Sequence, residues 1–169
     1  MDQETFKALM AGVPAPVTVV STLHRGQPKG TTVSSLASLS LEPPLVSIAL
    51  MESSNLLRHL RDNGRFAINL LAYNQASLAM QFASSVEDRF KGVDWSFQND
   101  LPRLAGVARY LECEIESDVR GGDHAAIFAR VVDCWMSEMP PLIYVDRHFG
   151  THSSYATKRE SRGLAEATN

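Results

Sequence analysis

Gly30-Thr31-Thr32-Val33-Ser34-Ser35-Leu36-Ala37-Ser38-Leu39-Ser40-Leu41-Glu42-Pro43-Pro44-Leu45-Val46 gathers hydroxyl side chains into one short run and closes on a proline pair. From Thr32 to Ser40 the hydroxyls fall at 32, 34, 38 and 40, while Val33, Leu39 and Leu41 take odd positions. Successive residues of a strand face opposite sides of the sheet. Read as a strand, the run has one apolar, packed face and one face of short hydrogen-bonding groups. The polar face suits a flat, polar or phosphorylated small ligand. A sheet face turned to water explains the same residues, because strands accept Thr readily. Thr32 and Ser34 share the polar face and Val33 lies behind it. Ser35 breaks the parity, so a contact from it calls for a bulge or a backbone N–H.

Outward from this run the chain reads mostly as strands. Residues 2–11 form a short amphipathic helix, with Phe6, Leu9 and Met10 at helical spacing, stopped by Val13-Pro14-Ala15-Pro16. Val17 to Leu23 is a β-branched strand. His24-Arg25-Gly26-Gln27 then turns the chain into the strand that enters the hydroxyl run, making a hairpin. Leu45 to Leu50 is apolar enough to be buried on both faces. Ser53-Ser54-Asn55 supplies capping residue types for a helix over 56–61, which Asn63-Gly64 ends. Arg65 to Leu71 is a strand, and Asn74 to Ala83 a helix with Leu78, Met80 and Phe82 available for packing.

Residues 84–106 carry few regular signals and read as a long loop, of the kind that serves or covers a site. Ala108 to Arg120 alternates, with Tyr110, Glu112, Glu114 and Glu116 against Leu111, Cys113 and Ile115. Gly121-Gly122-Asp123 turns it into a partner strand, His124 to Met136, as a long hairpin. Leu142 to Val145 is the last strand, and beyond Tyr155 the chain turns polar and is expected to fray. About seven strands in hairpins with three short helices define a mainly β fold with short helices (α+β). A partly closed antiparallel barrel with helices on its rim fits this order better than a doubly wound parallel sheet. One domain over 1–155 is expected, followed by a polar tail at 156–169.

A chain of 169 residues can bury a sizeable core in one domain. A net charge of −3 and a pI near 5.9 argue against a nucleic-acid footprint, which shows as a basic stripe. No run of about 18 apolar residues is present, so no membrane span is expected. Met1-Asp2-Gln3-Glu4 lacks the basic-then-apolar order of a secretory signal. Cys113 and Cys134 are the only cysteines, both in apolar strand-like runs. They read as two buried, reduced thiols of a cytoplasmic protein.

Several chemistries lack their signatures. There is no GxGxxG after a strand, no GxxxxGK[ST], no GxSxG, and no Cys/His metal spacing. Glu112, Glu114 and Glu116 read as one wet strand face. Small polar clusters remain beside the hydroxyl run. Ser53-Ser54-Asn55 stands at a helix start, where free N–H groups favour an anion; it is equally a plain cap. Arg89-Phe90-Lys91 offers two cations around an aromatic ring, suited to phosphate or simply to solvent. In Gly122-Asp123-His124 the carboxylate can orient the imidazole, though Gly-Gly-Asp is also plain turn chemistry. Arg147-His148-Phe149 places a cation and an aromatic just past the last strand.

Taken in order, these segments resemble the flavin reductase-like, FMN-binding split-barrel family. The similarity runs through Pro16-Val17-Thr18-Val19-Val20-Ser21-Thr22, the hydroxyl run with Pro43-Pro44, and Phe66-Ala67-Ile68-Asn69-Leu70-Leu71. It continues through Gln75, Phe82-Ala83, Asp88-Arg89-Phe90, Gly122-Asp123-His124 and Pro141-Leu142-Ile143-Tyr144 ahead of Arg147. Many members carry Asn where this chain has Ser34, and Lys where it has Arg89. The resemblance implies a homodimeric antiparallel split barrel that reduces FMN or FAD with NADH or NADPH. It implies delivery of reduced flavin to a separate monooxygenase component. The alternative is a non-catalytic or electron-transfer FMN-binding protein of the same fold.

Carried onto this chain, the resemblance sets Thr32, Val33, Ser34 and Ser35 at the isoalloxazine edge and ribityl chain, with Ser38 and Ser40 in support. It gives the phosphate end to Ser53, Ser54 and Asn55, helped by Arg89 and Lys91, with Phe82, Ala83 and Phe90 packed nearby. His124 falls beside the nicotinamide, with Arg147 and Phe149 near the same pocket.

Overall fold

Helix α1 (Gln3–Ala11) opens the chain, and strands then dominate. β1 (Ala15–Pro16), β2 (Thr18–His24), β3 (Gln27–Val33), β4 (Ala37–Leu41) and β5 (Pro44–Met51) precede α2 (Asn55–Asn63). After β6 (Arg65–Leu70) and α3 (Ala76–Ala83) come β7 (Trp95–Gln98), β8 (Leu101–Leu104), β9 (Arg109–Gly121) and β10 (His124–Met136). β11 (Ile143–Val145), β12 (His148–Gly150) and a single helical turn at 153–155 complete it. The structure, a computed structural model, describes residues 1–155; the expected polar tail at 156–169 lies outside the described residues. No helix among the described residues is long and apolar enough to cross a membrane.

Seven strands pair antiparallel in the order β3-β2-β6-β9-β10-β5-β4. β3 and β4 are therefore the two outer edges of the sheet, yet only Ser34, Ser35 and Leu36 separate them in the chain. A flat sheet of that width would hold its edges about 29 Å apart at the usual strand spacing. Val33 to Ala37 spans at most about 15 Å of chain. The sheet must curl until its edges nearly meet, while β3 and β4 share no ladder. This is a split barrel.

Alternating side chains feed two cores. Val20, Val33, Ile48, Phe66, Ile68, Cys113 and Ile127 fill the barrel, and Leu56, Leu57 and Leu60 of α2 close it. Val19, Ala67 and Tyr110 point the other way, beneath Phe82 of α3, Phe90, and Leu101 and Leu104 of β8. Strands β2, β6 and the first half of β9 are thus covered on both faces. β5 is not: Val46, Ile48 and Leu50 are buried, while Leu45, Ser47 and Ala49 are only half-buried. The expectation of two buried faces there fails because the other side of β5 lies under no helix or hairpin among the described residues.

The expected long loop at 84–106 contains a hairpin. Asn99 and Asp100 both take positive φ (47° and 65°), as a two-residue hairpin turn requires. Asn69 holds that hairpin against the barrel. Its amide donates to Val19 O, Ser21 Oγ and Pro102 O, and its Oδ1 accepts from Leu104 N at 2.9 Å. Asp146 and Arg147 form a similar turn (φ 47° and 63°), adding β12 to the expected last strand and making a three-stranded sheet with β1.

Four packing expectations are corrected. Glu112 is 1% exposed, because its carboxylate accepts two hydrogen bonds from Asn99 Nδ2 and faces Arg65 at 3.7 Å. Cys134 is exposed, being on the half of β10 that outruns its cover; burial pushes the Cys113 thiol up to about 12. Met80 of α3 is exposed, since Phe82 and Ala79 form that helix's buried face. Helix α1 buries none of its apolar residues, and Phe6, Leu9 and Met10 are all exposed.

Candidate functional site

The hydroxyl run is not one strand, and its alternation therefore does not carry through. Val33 ends β3 with its side chain in the barrel core, and β4 begins four residues later on the opposite edge. A bulge between Ser38 and Ser40 shifts β4 against β5, and Leu39 and Leu41 face outward, Leu41 with 91% of its surface exposed. The apolar face expected there is absent because β4 is an edge strand that covers nothing. Ser34 and Ser38 are exposed and Ser40 is half-buried. Ser35 lies outside both strands, and its Oγ donates to Ala49 O (3.0 Å) and accepts from Ala49 N (2.8 Å). The side chain thereby replaces the main-chain pairing that β4 takes up two residues later, at Ala37 and Ser47.

The start of α2 comes next to this seam. Met51, the last residue of β5, pairs with His124, the first residue of β10. Glu52 N donates to Asp123 O at 3.0 Å. Ser53, Ser54 and Asn55 thus begin beside Gly122-Asp123-His124, although nearly seventy positions separate the two motifs. Ser54 is the N-cap residue but makes no capping hydrogen bond through its side chain. The helix start therefore keeps N–H groups and a positive dipole end available to an anion. Arg58 donates to Asn55 Oδ1.

His124 is oriented from its own turn. Nδ1 lies 2.7 Å from Asp123 Oδ1. That hydrogen bond, and then the charge of the imidazole, hold the Asp123 carboxyl below its ordinary range. An ionised Asp123 only accepts, so it draws the proton to Nδ1 and leaves Nε2 presented outward.

Arg61 was not legible as a site residue, since its partners lie 9 and 57 positions away. Its guanidinium meets Asp118 through Nε (2.5 Å) and Nη2 (3.0 Å), and Glu52 through Nη1 (3.1 Å). One side chain thus ties α2, the Glu52 bend and strand β9 together. The contact holds the Asp118 carboxyl low and the guanidinium pKa high.

A second group of expected residues is joined around Gly30, at the other edge of the seam. Thr32 Oγ1 donates to Ala79 O (2.7 Å) and Thr31 Oγ1 to Phe82 O (3.2 Å), so both hydroxyl protons hold α3 to β3. Arg89 donates through Nε to Ser84 O (2.9 Å) and through Nη1 to Gly30 O (3.0 Å). Its Nη2 has no hydrogen bond among the described residues. Val33, Phe82 and Phe90 are buried core side chains, the two rings meeting edge-on at 4.9 Å. Their side chains pack beneath the rim. Ala83 and Lys91 are exposed beside them. Arg147 and Phe149 are on the separate β1-β11-β12 sheet, where Phe149 packs against Tyr144 at 4.9 Å. Among the described residues no hydrogen bond or ion pair links them to His124 or to the start of α2.

Fold and donors together define a split-barrel protein whose seam suits a phosphorylated ligand: exposed serines, an uncapped helix start and an oriented imidazole. The chain belongs to the flavin reductase like domain family, which it matches over residues 10–153. The reductase component of a 4-nitrophenol 4-monooxygenase/4-nitrocatechol 2-monooxygenase from Rhodococcus opacus is 34% identical over 155 residues. That match covers 92% of this chain and 84% of the relative. A flavin reductase (NADH) of Kitasatospora aureofaciens is 35% identical, covering 88% and 81%. The NADH:FAD oxidoreductase of Streptomyces globisporus superposes with a TM-score of 0.85 at 28% identity, over 89% of this chain and 93% of that one. That enzyme has also been solved in complex with NAD and FAD fragments.

Proposed function

We propose that this protein is an NAD(P)H-dependent flavin reductase that supplies reduced FMN or FAD to a separate monooxygenase component. The observation that carries the reading is the pairing of Met51 with His124, which sets an oriented imidazole against the uncapped start of α2. Flavin, when bound, supplies the acceptor for the hydride that nicotinamide C4 gives up. The chain's residues bind and orient. Asn55 holds the phosphate with its backbone N–H and Ser53 and Ser54 with their hydroxyls, the Ser54 N–H being bonded already to Met51 O. Ser34, Ser38 and Ser40 offer hydrogen bonds along the seam, and Arg89 reaches the same rim through Nη2. His124 positions the nicotinamide, its ring fixed by Asp123; direct hydride transfer needs stacked rings at close approach rather than an acid or base.

The same reading places the enzyme in the cytoplasm as a homodimer. The exposed apolar face of α1 supports the second copy. The test is absorbance of the purified protein, then NADH and NADPH oxidation with FMN, FAD or riboflavin added. Flavin-stimulated oxidation is expected. A yellow protein that oxidises neither nucleotide overturns the reductase in favour of an electron-transfer flavoprotein.

A further inference from the structure

Away from the seam, His24, His59 and Asp62 converge where the β2–β3 hairpin meets the second turn of α2. We propose that these three side chains form a site for a divalent transition-metal ion, with Zn²⁺ as its representative. One ligand atom from each residue lies within 4.8 Å of the others. His59 and Asp62 are three apart on α2 and so share a face. His24 is the last residue of β2 and is delivered by the Arg25-Gly26 turn, both of whose residues have positive φ (51° and 75°).

His59 Nδ1 is buried and has no hydrogen-bond partner among the described residues. Buried imidazole nitrogens are ordinarily bonded, so this lone pair is one the fold leaves unmatched. The imidazoles of His24 and His59 stack with centroids 3.9 Å apart and planes 28° apart.

In a tetrahedral site with bonds of about 2.0–2.1 Å the ligand atoms stand roughly 3.4 Å apart. The trio therefore has to draw in by no more than about 1.4 Å, and the two stacked rings have to turn so that their in-plane lone pairs converge on one ion; both are side-chain adjustments, since Asp62 is exposed and both rings are only half-buried. Two nitrogens and one carboxylate leave a fourth position to water. That donor set suits Zn²⁺, Co²⁺ or Ni²⁺ rather than Mg²⁺ or Ca²⁺, which favour all-oxygen shells. The ion would join strand β2 to helix α2.

The inference is independent of the flavin reading and is tested on full-length, untagged protein freed of metal by chelator dialysis. Calorimetric titration with ZnCl₂ should give one ion per chain, and Zn²⁺ should raise Tm. Co²⁺ should develop visible absorption of a low-coordinate complex. Asp62→Asn and His24→Gln, at positions that tolerate change, should each weaken Zn²⁺ at least about tenfold, a loss of roughly 1.4 kcal/mol. Flavin binding should be unaltered in both. No stoichiometric binding, or undiminished binding in both variants, overturns the site. Retention in His59→Ala alone also overturns it, provided circular dichroism shows that variant folded.

Discussion

His124 and Gly30 show how much rests on single residues. With Asp123 fixing Nδ1, the outward nitrogen of His124 has one orientation to offer. Removing the ring should affect nicotinamide rather than flavin. In His124→Ala we expect the KM for NADH to rise about tenfold or more, equivalent to about 1.4 kcal/mol. The FMN dissociation constant should change no more than about twofold, less than about 0.5 kcal/mol. Steady-state kinetics beside a flavin fluorescence titration separates the two, and unchanged NADH kinetics would remove the role. Gly30 is a packing residue. A Cβ there would stand 3.1 Å from both Phe82 Cε1 and Val20 O, and 3.3 Å from Phe90 Cε2. Backbone cannot yield and the two rings are locked edge-on, so Gly30→Ala should destabilise by about 1–3 kcal/mol. Thermal unfolding checks it: a Tm equal to that of the parent would show that the ring pair relaxes at no cost.

Helix α2 and the elements around it set the site's geometry. Ser54 caps nothing, so Ser54→Ala should lose well under the ~1 kcal/mol that a capping serine usually carries. It should weaken FMN relative to riboflavin, which has no phosphate. Equal losses for the two ligands would place the phosphate elsewhere. The Arg61 clamp has a pH signature. The fold lowers the Asp118 pKa, so its stabilising contribution is complete above the unfolded value of about 3.9 and is lost as pH falls through the folded one. Tm curves of the parent and Asp118→Asn should therefore be separate near neutrality and converge in acid; a constant gap would exclude the linkage. The two elements differ in legibility. The start and end of α2 are written locally, in Ser53-Ser54-Asn55 and Asn63-Gly64. The clamp depends on a partner 57 residues away that no local pattern announces. The β7–β8 hairpin is an instructive middle case. Asn99-Asp100 is a turn signal, but Trp95 to Leu104 holds too few strand-forming residues to be read without the Asn69 bonds that pin it. Glu112 was misread for a similar reason: period 2 marks a face, and only the hairpin across it makes that face dry.

For the whole molecule, a second copy should be visible as a sedimenting species of twice the 18.6 kDa chain mass; a monomer at micromolar concentration would refute the dimer. The order of strands and hairpins points to a partly closed barrel and the spaced motifs to a split one, whereas alternation alone reads its central stretch as one continuous strand. The reason is topological: residues 33 and 37 are neighbours in the chain and opposite edges of the sheet. That three-residue link acts as a hoop. It caps the circumference of a barrel whose inside is already filled by Val20, Ile48, Ile68 and Ile127. Nothing of cofactor size can be swallowed, so whatever binds must lie along the outside of the join. A guest lodged on an outer rim, with its phosphate at the start of α2, leaves whatever follows the phosphate in open water, and the hoop places no limit on that extension's length. On the proposed reading, a seam of this kind accommodates flavins with short or long appendages alike.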